Sequence, residues 1–176
     1  MTINLEQITK GLPGITPISG AHLLEGCVVC LKRHNHSNLG TPIIITGVCD
    51  AELTITWNDI YNEQLNRTWA DQFYATEHGA LCIAILLTLN ITDYTVIERS
   101  IRNDGFDYWL GKKEDRLFQK KAKLEISGIY EGSKNDVLFR HNKKYNRFTG
   151  HNCHELPIYI GVVEFSKPMA DFQLKQ

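Results

Sequence analysis

Three acidic side chains in this sequence fall where an acid is costly, and a lysine stands beside one of them. Glu77 lies in TEHGALCIAILL, a stretch of helical periodicity in which it sits within about 60° of Phe73, Ala80, Leu81 and Ala84. A carboxylate on so apolar a face is expected to lose bulk water. That loss is expensive unless the group is protonated, bound to a cation, or paired with a base such as Arg99. Asp107 is set in GFDYWLG, where strand alternation sends Phe106, Tyr108 and Leu110 one way and Asp107 and Trp109 the other. Aspartate is a poor strand residue, so its presence among aromatics needs a compensating partner. Glu125 repeats the anomaly in KLEISGI, with Lys123, Glu125 and Ser127 on one face and Leu124, Ile126 and Gly128 on the other. Two neighbouring strands that each carry a carboxylate can converge on one hard divalent cation, Mg²⁺ or Mn²⁺, which takes oxygen ligands and keeps some waters. Asp107, Glu125 and Glu77 are then the candidate metal ligands, and Lys123 the group that holds or polarises the attacking water. The plainer alternative is a charged stripe on a half-exposed sheet.

The elements that must position these residues follow from periodicity. Residues 68–89 predict a helix opening on a Thr68 cap, with a second half that is apolar nearly all round and so packed on more than one side. Strands are predicted over residues 94–99, 106–110 and 122–129. Asn103, Asp104 and Gly105 form the turn before the second of these. Residues 133–147 predict a basic helix, poor in helix formers, and residues 157–165 a strand buried on both faces, ended by Pro168. Upstream, residues 1–18 read as an irregular arm, residues 19–33 as a helix capped by Ser19, residues 42–57 as two strands joined near residues 48–51, and residues 58–66 as a polar connection. The expected architecture is a mixed α/β fold in which helices flank a central mixed sheet. Residues 1–67 form an N-terminal extension (helix and β-hairpin) on an α-β-β-β-α-β core at residues 68–168, and residues 169–176 form a peripheral tail.

Composition narrows the class. The chain has 176 residues, 43% hydrophobic and 22% charged, with a net charge of −1, so no strong overall field draws it to nucleic acid or membrane. The distribution is uneven. Residues 1–90 hold four Lys/Arg against eight Asp/Glu, whereas residues 112–147 hold eleven against five, a patch that by itself reads first as a solvated Lys-rich surface and that DNA phosphates could also use. Five cysteines, one of them within the apolar run ALCIAILL, argue for a reducing, cytoplasmic setting and against a disulfide framework. The apolar segment at residues 80–89 is short for a bilayer, and no membrane role is expected. Cys27, Cys30, His34 and His36 offer a weak zinc set, and His151, Cys153 and His154 a weak HNH-like one. Trp57, Trp69 and Trp109 read as core or rim residues.

The order of elements, a helix bearing Glu77, strands bearing Asp107 and Glu125, then a helix and a strand, resembles the core of the PD-(D/E)xK nuclease superfamily. The strings TEHGA, ERSIRNDGFDYWLG and KLEISG also resemble a group of prokaryotic proteins marked by them. The resemblance covers residues 69–168. It implies a restriction-endonuclease-like core and a metal-dependent phosphodiester hydrolase acting on DNA, in defence or DNA processing. Asp107 maps to the metal-binding Asp, Glu125 to the strand Glu, and Glu77 to the Glu of the first core helix. The pattern departs at the lysine expected two residues after the strand Glu, where Ser127 stands. Lys123, two residues before Glu125, shares its face and is the substitute the sequence offers. The competing expectation is a catalytically inactive nuclease fold serving as an accessory that binds nucleic acid or a protein partner.

Overall fold

The computed structural model describes residues 1–148 and 156–175. Strand β1 (Thr2–Asn4) runs into a 3-10 turn at Leu5–Lys10, and α1 spans Pro17–Arg33. Thr16, not Ser19, caps α1, accepting the Ser19 amide at 3.2 Å, and Pro17 takes the first helical position, where a missing N–H costs nothing. Strands β2 (Thr41–Gly47) and β3 (Ala51–Thr56) follow as the expected hairpin. The stretch read as polar connection closes into a short helix, α2 (Glu63–Thr68). Thr68 ends that helix, and Asp71 caps the next one, α3 (Gln72–Ile91), by accepting the Tyr74 amide at 3.1 Å.

The region expected to carry the site then unfolds as β4 (Tyr94–Arg99), β5 (Tyr108–Lys112), β6 (Ala122–Ile129), α4 (Lys134–Arg147) and β7 (Ile158–Glu164). A capping box starts α4: Ser133 Oγ accepts the Asp136 amide while the Asp136 carboxylate accepts the Ser133 amide. Residues expected to be a tail form a further strand, β8 (Met169–Lys175), whose Met169, Ala170, Asp171 and Phe172 are buried.

The described strands make one mixed sheet in the order β1-β3-β2-β8-β7-β6-β5-β4. Strands β4, β5 and β6 form an antiparallel meander, and β7 lies parallel to β6. Strand β8 pairs antiparallel with β7 and parallel with β2, so it joins the N-terminal hairpin to the rest of the sheet. Strands β1, β2 and β3 therefore extend the sheet, while α1 packs against α3 on its face.

Helices cover both faces. α1 and α3 pack together on one face with Tyr159 and Val163, and α4 packs Val137 on Val162 and Met169 of the other. Every residue of β7 is consequently buried, as its continuous apolar run predicts. α3 is twenty residues long and apolar enough to cross a membrane by length and composition, and 67% of its most apolar eighteen-residue window is buried inside this fold. Its second turn lies directly on β6: a Cβ at Gly128 would come 2.6 Å from the Thr76 carbonyl oxygen, so only glycine allows the approach.

Candidate functional site

Asp107 immediately precedes β5 and faces Glu125 of β6. Its amide donates to the Leu124 carbonyl at 2.9 Å, which sets the register. Its side chain then takes over from the strand: Oδ2 accepts the Ile126 amide at 2.7 Å, where a further β5 carbonyl would otherwise have bonded. The ladder between β5 and β6 stops there, and β6 continues with one edge released. The segment before Asp107 is bent away by a turn in which Asn103 has φ 83° and Gly105 φ 84°. Ser100 ties the turn down, its hydroxyl donating to the Phe106 carbonyl and its amide to the Asp107 carbonyl at 2.9 Å.

Glu125 is 4% exposed, and on that face it needs cationic partners. α4 supplies them. Lys144 Nζ donates to Glu125 Oε1, and Arg147 donates to the same oxygen at 3.1 Å and to the Gly105 carbonyl at 2.8 Å. Arg147 thereby clips α4, β6 and the turn before β5 together. Burial first, and the Glu125 charge second, push the Asp107 carboxyl up to about 6. The Ile126 amide, Lys144 and Arg99 oppose that rise.

The pair opens onto a cavity of about 420 Å³ whose lining includes Arg99, Arg102 and Arg147. A second cavity, of about 830 Å³, adjoins it through Arg147 and runs along the released edge of β6 between the start of α3 and the outer face of α4.

Glu77 lines this second cavity, not the first. It belongs to α3, on the sheet face opposite Glu125, and it is exposed rather than desolvated, because this turn of α3 lays Ala75 and Thr76 toward the core and leaves Glu77 on its outer side. Phe73, one turn earlier on the same stripe, is 86% exposed. No ion pair joins Glu77 to Arg99 among the described residues; that guanidinium donates to the Tyr108 hydroxyl at 3.4 Å instead. Lys123 shares the face of Glu125, as alternation requires. Its ammonium, however, lies over the rings of Phe106 and Trp109, 5.5 and 5.9 Å from their centroids, with no hydrogen bond to either acid. The lysine that reaches the acids is Lys144. Its signal in the sequence was only its place at a helical repeat with Arg140 and Arg147, on a helix whose register against β6 periodicity does not fix.

Among the described residues no group of three or more His, Cys, Asp or Glu gathers to hold a metal ion. The weak zinc set is dispersed: Cys27 and Cys30 are buried in α1, while the side chains of His34 and His36 meet the carbonyls of Tyr130 and Phe165 at 2.9 and 2.8 Å. Burial pushes the Cys30 thiol up to about 12, which makes it a packing residue and not a nucleophile. His151, Cys153 and His154 lie outside the described residues. The basic segment at residues 112–147 divides in two. Lys112 and Lys120 pair with Asp93 and Glu98 on the outer hairpin, at 3.7 and 2.8 Å, whereas Arg140, Lys143, Lys144 and Arg147 line the second cavity.

Fold and site together define a mixed α/β protein with an acid pair under an arginine rim at the released edge of a sheet strand. No known protein-family model, curated protein or solved structure matches this chain.

Proposed function

We propose that this protein is a divalent-cation-dependent phosphodiester hydrolase of the PD-(D/E)xK type acting on DNA. The observation that carries the reading is the placement of Asp107, just before β5, beside Glu125 of β6, facing a cavity rimmed by arginines. The element order α3-β4-β5-β6-α4-β7 is consistent with a restriction-endonuclease-like core.

The donor set fits Mg²⁺ or Mn²⁺. Asp107 keeps Oδ1 and Glu125 keeps Oε2 outside the hydrogen bonds given above, and such ions are commonly held by one or two carboxylates, waters and substrate phosphate. A bound ion would neutralise charge at the phosphate and acidify an attacking water. Glu77 stands apart from that pair in this reading, as a wall of the neighbouring cavity.

Arg99 and Arg102 bind the phosphate oxygens, and Arg147 reaches both them and Glu125. Lys144 occupies the role for which the sequence offered Lys123: its ammonium donates to Glu125 and can orient a water beside the pair. Lys123 props the aromatic side of the site.

The test is cleavage of plasmid and oligonucleotide DNA in millimolar Mg²⁺ or Mn²⁺. Wild type should cut, Asp107→Ala should lose at least about a hundredfold in rate, and Lys144→Ala should lose more than Lys123→Ala. Cleavage that survives Asp107→Ala, or no cleavage with either ion, sinks the hydrolase. A second reading, a nuclease fold that binds without cutting, is favoured by Ser127 at the expected lysine position and by the closure of Glu125 against Lys144 and Arg147. It predicts DNA binding indifferent to Asp107→Ala and to metal.

A further inference from the structure

We infer that the substrate strand is single-stranded nucleic acid, seated along α4 with unpaired bases stacked on Phe73 and Phe139. The inference rests on the phosphodiester reading above and deepens it. The second cavity carries on one wall the helical stripe Arg140, Lys143, Lys144 and Arg147, which spans roughly 10 Å of α4. Arg147 continues that stripe into the acid-pair cavity, where Arg102 and Arg99 extend it. A backbone that follows these cations is delivered to Asp107 and Glu125.

Exposure says what else the strand must offer. Phe73 from α3 and Phe139 from α4 are 86% and 72% exposed, although each belongs to a helix with a well-buried side. Both line the same cavity, so the two rings frame the groove from its two helices. Isolated apolar residues on a surface need no explanation, but two phenylalanines framing one cationic groove form a stacking platform with a backbone track beside it. Glu77, Glu131 and Asp136 also line it, on α3, after β6 and at the start of α4, and they repel phosphate toward the C-terminal half of α4, where Arg140 to Arg147 stand, leaving the bases to turn toward the rings. Paired bases present no free face to such rings, which is why a duplex is the poorer fit.

Neighbouring charges already restrain part of the track. Arg140 donates to the Ser127 hydroxyl at 3.0 Å, and Lys144 and Arg147 hold Glu125. Lys143 has no such partner among the described residues, so it is the cation most available to a phosphate.

The experiment is fluorescence anisotropy of the full chain with a short labelled single strand of mixed sequence and with its duplex, in EDTA, so that neither ion binding nor cleavage enters. The single strand should bind at least about tenfold more tightly than the duplex. Phe73→Leu and Phe139→Leu should each weaken it by about fivefold or more, and Phe139→Trp should restore binding with quenched tryptophan emission. Lys143→Ala should lower the salt dependence by about 0.7 in the log–log slope. Both phenylalanines are exposed, so the variants should melt like wild type. Equal or tighter duplex binding, leucine variants that bind like wild type, or no oligonucleotide binding at all overturns the inference. A chain that binds single strands through the two rings yet never cuts in Mg²⁺ or Mn²⁺ upholds it and removes the hydrolase instead.

Discussion

Asp107 is held where its charge is opposed, first by burial and then by Glu125, and its carboxyl titrates at about 6. In the unfolded chain the same group titrates near ~3.9. Between these values the native state binds more protons than the unfolded one, so stability falls as pH rises from about 4 to 6 and the loss is complete above that range. The shift corresponds to at most about 3 kcal/mol. Asp107→Asn retains an acceptor for the Ile126 amide while removing the charge. It should raise the unfolding free energy by about 1–3 kcal/mol near pH 8 and by almost nothing near pH 4, measured by urea denaturation at both. An equal gain at the two pH values would show that the environment of Asp107 has been misread. The sequence revealed that Asp107 and Glu125 required an explanation, because a strand acid among aromatics is visible in alternation alone. It did not reveal the direction of Glu77, because of its apolar neighbours on a helical wheel Ala80, Leu81 and Ala84 lie deeper along α3 and are buried, while Phe73 at its start is itself exposed. Nor could it show that the Lys123 ammonium turns to Phe106 and Trp109, since strand alternation puts Phe106 on the face opposite Asp107, whereas residues 106 and 107 precede β5 and Phe106 packs with Trp109.

The strands and helices of the core were legible wherever periodicity was strong: the hairpin of β2 and β3, the meander β4 to β6, and the buried β7 all stand where apolar patterning places them. β8 was not. Its MADFQLK carries Asp171 and Gln173 in mid-strand, which reads as surface, and Pro168 reads as a stop. The structure resolves the conflict by giving Asp171 partners from three elements. His141 of α4 lies 2.6 Å away, Thr46 of β2 donates at 2.7 Å, and Gln173 of β8 itself donates at 2.9 Å. Burial alone would raise this carboxyl, and the bonds from His141, Gln173 and Thr46 outweigh it and hold the group below the usual range. A depressed carboxyl contributes stability above its unfolded pKa and loses it as pH falls through the folded value, so the stabilisation by Asp171 is present near neutrality and fades in acid. Asp171→Ala should therefore cost about 2–4 kcal/mol at neutral pH by removing the carboxylate that His141, Thr46 and Gln173 share, and the deficit should shrink in acid as that carboxylate protonates in the wild type. Deleting residues 169–176 should abolish cooperative unfolding altogether, because β8 is the strand between β2 and β7. A chain ending at Pro168 that melts like wild type would restore the peripheral tail.

At the scale of the whole molecule, a net charge of −1 leaves no general attraction for a polyanion, so any nucleic-acid affinity must come from the α4 stripe and the arginine rim. Among the described residues no group of three or more His, Cys, Asp or Glu gathers to compete for a divalent ion, so global stability reports on the acid pair. An ion held by Asp107 and Glu125 binds only the folded chain, which brings those two residues together. At ten times its dissociation constant it would add about 1.4 kcal/mol. For a chain of this length that is a rise of roughly 3–6 °C in Tm. Protons compete for the same oxygen. Near pH 8 Asp107 is ionised and the full shift should appear with millimolar Mg²⁺ or Mn²⁺. Near pH 5 the carboxyl is mostly protonated in the native state, so the ion must displace a proton and the shift should fall by more than half. Asp107→Asn should show the smaller response at both pH values, while Glu77→Gln, altered in the neighbouring cavity, should respond like wild type. Melts of the three proteins with and without ion at the two pH values decide between the outcomes. A Tm shift that ignores both pH and Asp107→Asn would place the ion elsewhere on the surface, and one abolished by Glu77→Gln would return Glu77 to the ligand set from which its position on the opposite sheet face removes it.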